Sequence, residues 1–484
     1  MQAGNVGFVG SRPLVTVRER THEQAKYESM WARDEYRAVA PGEDCAQTFL
    51  EHAKPPAGSL VIDFGAGTGR GAVMLCILGG VRVHMTDLAE NCLDSWVRDA
   101  LKTQSHALSF EHHDLNKPLK RTAEYGYCTD VLEHIPPEEL DGVLTNILRS
   151  AQHVFFQVSC VDDCCGKLIG EKLHLSVHDY AWWLRKFQGD LECLVHWSED
   201  RGDSALFYVT AWWSAERLAK TGVLNVENEE LRANVRASCR RSLQQCRPHG
   251  DSSDEVMIVG GGPSLSGQLN VIRARRESGQ KLITLNGAYN WATANGLSVS
   301  AQIMCDAREF NRRFLEPVQP QTKYLLASQC HPSAYDAVPA ERTWQWHTTA
   351  ENIVDILNEE VDEWFAVPGG CTVLLRAIPL MRMLGYRSFH LFGCDSCLGE
   401  DDSHHAYSQP ENDGQLVIPA TIGGRVFRCH PWQIAQAWEF IELIRHMGNL
   451  FEIEVHGGGL LAHILEHAAA EDLKAELAAA FPIT

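Results

Sequence analysis

Ser59-Leu-Val-Ile-Asp-Phe-Gly-Ala-Gly-Thr-Gly69 decides how the first half of the chain folds. Val61-Ile62-Asp63 reads as a buried strand, and Gly65-x-Gly67-x-Gly69 lets the backbone turn tightly at the strand end before a helix begins. In an open α/β sheet, that is where a ligand lies. Taken alone, the glycine spacing also fits a plain strand-to-helix turn. The followers add weight. Val81–Thr86 reads as the next strand and ends at Asp87, 18 residues past the last glycine, where a carboxylate can accept both ribose hydroxyls of an adenosine. A third strand, Leu108–Phe110, leads to Asp114, placed to meet an adenine amino group, and a fourth, Tyr125–Thr129, ends in Asp130-Val-Leu-Glu-His-Ile135.

Glu255-Val-Met-Ile-Val-Gly-Gly-Gly-Pro-Ser-Leu265 repeats the pattern of strand, glycine turn and helix start. Pro263 suits a first helical turn, and free backbone N–H groups at a helix N-terminus with the Ser264 hydroxyl suit a phosphate. No Gly-Lys-Ser/Thr follows, so this is not a P-loop. Later apolar runs end at Asn286, Asp306 and Gly393-Cys-Asp395, followed by the acidic, histidine-bearing loop Glu400–Ala406. Asp306 and Asp395 also fit helix caps. Cys394-x-x-Cys397 with His404 and His405 has the ligand types for zinc. His456 with Gly457–Gly459 either lines the same cleft or turns the chain.

Around these two turns the composition is globular: 484 residues, 45% hydrophobic and 22% charged, too many for one average core. The expected organisation is two Rossmann-like α/β domains with mainly parallel sheets: an N-terminal helical flank (1–40) containing Trp31, Tyr36 and Arg37, a first domain (41–213), a helical linker (214–253) and a second domain (254–484). The Ala-rich Ala468–Ala480 is expected to close the chain as an amphipathic helix. The formal charge of −20 and the lack of a basic block argue against tight, nonspecific binding to a nucleic-acid backbone, although a local cationic groove stays open. No apolar run approaches the roughly 20 residues of a membrane span. Residues 1–20 lack a signal-peptide layout and carry Arg12, Arg18 and Arg20, and the 16 cysteines form no short disulfide framework. A cytoplasmic protein with reduced thiols is expected; the oligomeric state is not legible.

Asp63-Phe-Gly-Ala-Gly-Thr-Gly69 with Asp87, Asp114 and Asp130-Val-Leu-Glu-His-Ile135 resembles the class I S-adenosylmethionine-dependent methyltransferases over roughly residues 25–212. The resemblance implies a cofactor site built from Asp63, Gly65, Gly67, Gly69, Asp87, Asp114 and Asp130, with Asp87 on the ribose and Asp114 near the adenine. The Asp-Val-Leu-Glu-His-Ile signature is similar to that of the branch acting on small molecules, and the Asn-Pro-Pro-Tyr motif of DNA amino-methyltransferases is absent. Alignment of nucleophile and methyl supplies much of the rate of such a transfer, so a base is needed only where the acceptor carries a proton. Glu133 and His134 are the candidates for it; they equally fit a helix cap and a packed wall. His174 and His178, just before Trp182-Trp183, could close over the acceptor, though a Trp pair on an apolar helix also fits the core.

Gly260–Leu265, Asn286, Asp306, Gly393-x-Asp395 and His405-Ala406 together resemble the motility accessory factor and 6-hydroxymethylpterin diphosphokinase-like family and, more distantly, the sialyltransferases that use CMP-sugars, over roughly residues 252–465. By that resemblance Gly261, Gly262 and Ser264 hold phosphate, Asn286 touches a nucleotide or nucleotide-sugar, Asp306 or Asp395 binds Mg2+, and His405 is a general acid or base. The doubled His404-His405 departs from the family pattern. The leading expectation is an S-adenosylmethionine-dependent methyltransferase of a small-molecule or glycan acceptor fused to a nucleotide- or diphosphate-dependent transferase. The alternatives are a CMP-sugar-type glycosyltransferase with an accessory methyltransferase fold, and a non-catalytic structural protein built on degenerate enzyme folds.

Overall fold

The computed structural model describes residues 22–38, 40–104, 106–211, 226–467 and 476–477. The expectations for Arg12, Arg18 and Arg20, and nearly all of that for Ala468–Ala480, lie outside these residues. The first sheet has seven strands: β1 (Leu60–Phe64), β2 (Arg82–Asp87), β3 (Leu108–His112), β4 (Ala123–Thr129), β5 (Ala151–Ser159), β6 (Cys193–Asp200) and β7 (Ser204–Ala211). Their order is β3-β2-β1-β4-β5-β7-β6, parallel except for β7, which runs antiparallel to both neighbours. β1 is buried along almost its whole length, as its mainly apolar run, broken only by Asp63, requires of a central parallel strand. The chain reverses its direction of travel across the sheet between β1 and β4, which opens a crevice there. The Gly65–Gly69 turn and Asp130 flank that crevice. Before the sheet come α1 (His22–Met30), α2 (Asp34–Arg37) and α3 (Pro41–Ala53). α3 packs on α4 (Arg70–Gly79), where Gly42 meets Gly71 so closely that a Cβ on Gly71 would lie 2.8 Å from the Gly42 carbonyl.

The second sheet contains β8 (Gln244–Gln245), β9 (Glu255–Val259), β10 (Lys281–Leu285), β11 (Ala301–Met304), β12 (Lys323–Ala327), β13 (Thr343–Thr348), β14 (Ala366–Val367), β15 (Ser388–Phe392) and, after the hairpin of β16 (Ile418–Ile422) and β17 (Arg425–Cys429), β18 (Glu452–His456). The order β14-β13-β12-β11-β10-β9-β15-β18 is parallel throughout, with β8 paired to β13. Its reversal falls between β9 and β15, so Gly260–Gly262 and Gly393–Asp395 face one crevice. Both halves are thus α/β with largely parallel sheets.

The segment expected as a linker is helical over Asn228–Cys239, and this helix lies on the helix Glu351–Glu360 through Arg236–Glu359 and Arg240–Glu360 ion pairs. Pro248–Ser253 is held as well, since His249 and Ser252 donate to the Met383 and Gly385 carbonyls. The described part of that segment therefore packs against the second half. The halves also share one apolar cluster, in which Trp183, Phe187 and Leu194 join Phe365, Val367 and Leu374. Gln188, fully buried, donates to the Trp364 carbonyl and accepts from Ala366 N–H, and His153 bonds Asn449 at 2.6 Å. Among the described residues no helix is long and apolar enough to cross a membrane, and all 16 cysteines are free thiols.

Candidate active site

Gly65, Gly67 and Gly69 all have positive φ (75°, 52° and 77°), a conformation glycine adopts without steric cost. Gly65 and Ala66 donate to the Thr86 carbonyl, and Gly67 N–H donates to Asp87 Oδ2 at 2.9 Å; Ala89 N–H holds the other Asp87 oxygen at 2.8 Å. Burial raises the Asp87 pKa, and these N–H groups pull it back. Asp63 lies beneath the turn, where burial and the neighbouring Asp87 charge push its carboxyl up to about 8.

Two cavities, of about 130 and 300 Å3, meet above this turn and share Trp31, Tyr36, Gly65, Asp130 and His134 as walls. Asp87 and Asp114 line the smaller, and Asp63, Gly67 and His174 the larger. The N-terminal flank forms the roof. The Trp31 indole sits so close to Gly67 that a Cβ there would be 2.9 Å from it, and Trp31 packs on Tyr36 at 4.7 Å. Arg37 ties the roof down, donating to the Trp31, Asn91 and Cys92 carbonyls and to Asp94. Neither cavity has a Lys or Arg among its described lining residues, whereas nine acidic side chains line them, Asp63, Asp87, Asp114 and Asp130 among them.

In the second half a cavity of about 480 Å3 opens at the crevice, lined by Gly260–Gly262, Asn286, Asp306, Asp395, His404 and His405 among others. The expected phosphate cradle is altered by the chain's own contacts. Gly260 and Gly262 donate to the Phe392 and Gly393 carbonyls, and Ser264 N–H donates to Asp395 Oδ2 at 3.0 Å. An internal carboxylate thus takes one donor of this turn, while the Ser264 hydroxyl is buried without a hydrogen-bond partner. Gly261 is packed by His405 and Tyr407, which leave no room for a Cβ. The geometry does not fit Mg2+ either. Asp306 is gripped by the Arg308 guanidinium through both oxygens (3.0 and 2.6 Å), and one Asp395 oxygen is spent on Ser264. Cys394 and Cys397 join no group of three metal-ligating side chains among the described residues.

Family models match two stretches of the chain: a methyltransferase domain over residues 61–153 and a 6-hydroxymethylpterin diphosphokinase MptE-like domain over residues 229–401. The chain carries a methyltransferase domain followed by an MptE-like domain. It is thereby a transferase. Similar solved structures include the magnesium protoporphyrin IX methyltransferase from Synechocystis PCC 6803 with bound SAH, at 17% identity over 40% of this chain and 95% of that one, TM-score 0.31. The DhpI–SAH complex is also similar (17% identity, 40% and 98% coverage, TM-score 0.31), as is the complex of the Haloferax volcanii Trm112 methyltransferase activator with a putative methyltransferase (14%, 40% and 99%, TM-score 0.32). Comparison with curated proteins gives no match.

In the methyltransferase half, the structure brings Asp63, Gly65, Gly67, Asp87, Asp114, Asp130 and His134 to the two cavities, while Gly69 caps α4 against Leu93 and Val97. Glu133 does not reach them. It is fully buried, its Oε1 accepting Ser159 N–H at 2.5 Å and its carbonyl accepting from Leu175 and Ser176, so it fastens the loop after β5 instead of facing an acceptor. Burial lowers the His134 pKa to about 4, which makes it a weak base at neutral pH. His178 stacks flat on Trp182 at 3.6 Å and Trp183 is core, so of that stretch only His174 reaches the site.

In the MptE-like half, His405 is the histidine against the glycine turn, its pKa lowered to about 4 by burial and by His404 and His430. Sequence reading missed a second turn on the same cavity. Gly369-Gly370-Cys371-Thr372 leads into the helix Val373–Met383, which starts with no side-chain cap. The Thr372 hydroxyl is buried without a partner, and Arg376, one turn in, lines the cavity. The signal was present: a glycine pair and a threonine before an apolar helix with no acid in its first turn.

Proposed function

We propose that the methyltransferase half binds S-adenosylmethionine in the paired cavities beneath Trp31 and Tyr36 and methylates a small, neutral or cationic acceptor. The observation that carries this is the lining. Nine acidic side chains and no described Lys or Arg suit a ligand with a sulfonium and an ammonium, and disfavour an acceptor rich in phosphate. When bound, that cofactor supplies a methyl group activated by positive sulfur. The chain's own part is positioning. The Gly65–Gly69 turn lets the ligand approach the backbone, Asp87 faces the ribose, Asp63 faces the cationic end, and the roof of α1 and α2 excludes water. A small molecule fits the confined chamber better than a polymer, and a glycan acceptor would enter only by a terminal unit.

For the MptE-like half we propose a nucleotide or diphosphate site, with the phosphate at the uncapped start of Val373–Met383. The free helix N–H groups, the Thr372 hydroxyl and Arg376 support it, without Mg2+. Calorimetric titration with S-adenosylmethionine tests the first reading. One site per wild-type chain, lost in Asp87→Ala, supports it. Absence of binding by the folded protein refutes it.

A further inference from the structure

Asp130 and His134, in the wall shared by the two cavities, meet His174 of the larger one, their ligand-type atoms all within 4.8 Å of one another. His134 Nδ1 lies 3.2 Å from the Leu173 carbonyl, and His174 Nδ1 lies 2.7 Å from the Val161 carbonyl. A carbonyl only accepts, so each Nδ1 carries a hydrogen, which leaves each Nε2 as the atom that can offer a lone pair. His134 Nε2 is buried without any hydrogen-bond partner. Three lone-pair donors therefore converge within 4.8 Å, an arrangement that a cation satisfies. The backbone adds to the picture, since Asp130 is held at φ 59°, unusual for a residue other than glycine.

We propose that Asp130, His134 and His174 form a binding site for a divalent transition-metal ion. Two imidazoles and one carboxylate suit zinc, iron(II) or cobalt(II) better than Mg2+ or Ca2+. The two carbonyl-bound Nδ1 atoms supply the outer contacts that fix ligating histidines. Three protein ligands leave further positions open toward both cavities. On the methyltransferase reading, on which only this last step rests, the acceptor is a hydroxyl compound. Its oxygen takes an open position, and its O–H gives its proton to solvent at a lower pH than when free.

Two other histidine clusters are less suited. His390 and His456 hydrogen-bond each other at 3.2 Å, and His463 Nε2 is engaged by the Ile422 carbonyl at 2.9 Å. The test uses the full chain stripped with a chelator and titrated with Co2+, followed by visible absorption and metal analysis, with S-adenosylmethionine calorimetry alongside. The expected result is one equivalent of Co2+ per chain that is weakened more than about 100-fold in His174→Ala and His174→Gln but retained in His456→Ala. Unchanged circular dichroism and thermal melting show that the His174 variants are folded. If the cofactor fails to bind while Co2+ binds and is lost in the His174 variants, the metal site stands and the methyltransferase reading falls. Failure of wild type to take up Co2+ at roughly 1 mM, or uptake unchanged in both His174 variants, overturns the proposal.

Discussion

Cofactor affinity should depend on pH through a single carboxyl group. Asp63 sits beneath the glycine turn with its pKa pushed up to about 8, chiefly by burial and then by the Asp87 charge. A ligand bringing positive charge to the larger cavity selects the ionised form, so binding must release the proton that the empty site holds. With that pKa, about 1% of chains carry an ionised Asp63 at pH 6 and about 9% at pH 7, so the apparent Kd falls about ninefold over this interval. The direction is fixed: affinity rises with pH. Calorimetry at pH 6.5 in buffers of different ionisation enthalpy should count close to one proton released per cofactor bound. In Asp63→Asn the interval should be flat. The ligand's own α-amino group titrates near pH 8, which is why the comparison stops at pH 7. A wild-type Kd that does not change from pH 6 to 7, or an equal slope in Asp63→Asn, would refute the reasoning.

The same group predicts stability. Its folded pKa lies above the unfolded value, so the folded state loses ground as pH rises from the ordinary carboxylate range toward 8, and Asp63→Asn should raise the apparent Tm at pH 7 by the equivalent of about 1–3 kcal/mol, with no gain at pH 4. Gly69→Ala places a methyl 2.8 Å from Leu93 and Val97 at φ 77° and should cost about 1–3 kcal/mol and abolish cofactor binding. Gly142→Ala, in open space on the helix Leu140–Ser150, should stabilise by about 0.5–1 kcal/mol, as thermal melts of both variants would show. Arg376→Ala should weaken pyrophosphate or CMP binding by at least about tenfold while leaving S-adenosylmethionine titrations unchanged. Gln188→Ala orphans the Trp364 carbonyl and the Ala366 N–H and should lower stability by about 2–4 kcal/mol in denaturant melts.

What could be read from the chain alone was whatever local stereochemistry dictates. Gly65, Gly67 and Gly69 announce a left-handed turn by their spacing, and the apolar runs of β1 and β9 announce central parallel strands. What could not be read was which partner a side chain would choose. Asp306 looked like a metal ligand because Arg308, two residues on, carries no sign in one dimension of folding back onto it. Asp395 reads as a metal ligand or a helix cap, although the turn after β9, 131 residues earlier in the chain, delivers Ser264 N–H to it. Glu133 and His134 are adjacent in the sequence and alike as candidate bases, yet a single-turn 3-10 helix points one into the core and the other into the cavity. His174 reaches Asp130 only because the loop after β5 returns over the crevice, pinned by the Glu133 carbonyl.

The apolar cluster that runs from Trp183 and Phe187 into Phe365 and Val367 makes the two halves one inheritance instead of two modules. Neither half owns a finished surface on that side, so a cut between them would leave a raw, oily face on each product. It follows that a cofactor held under Trp31 should protect the distant MptE-like half from proteases.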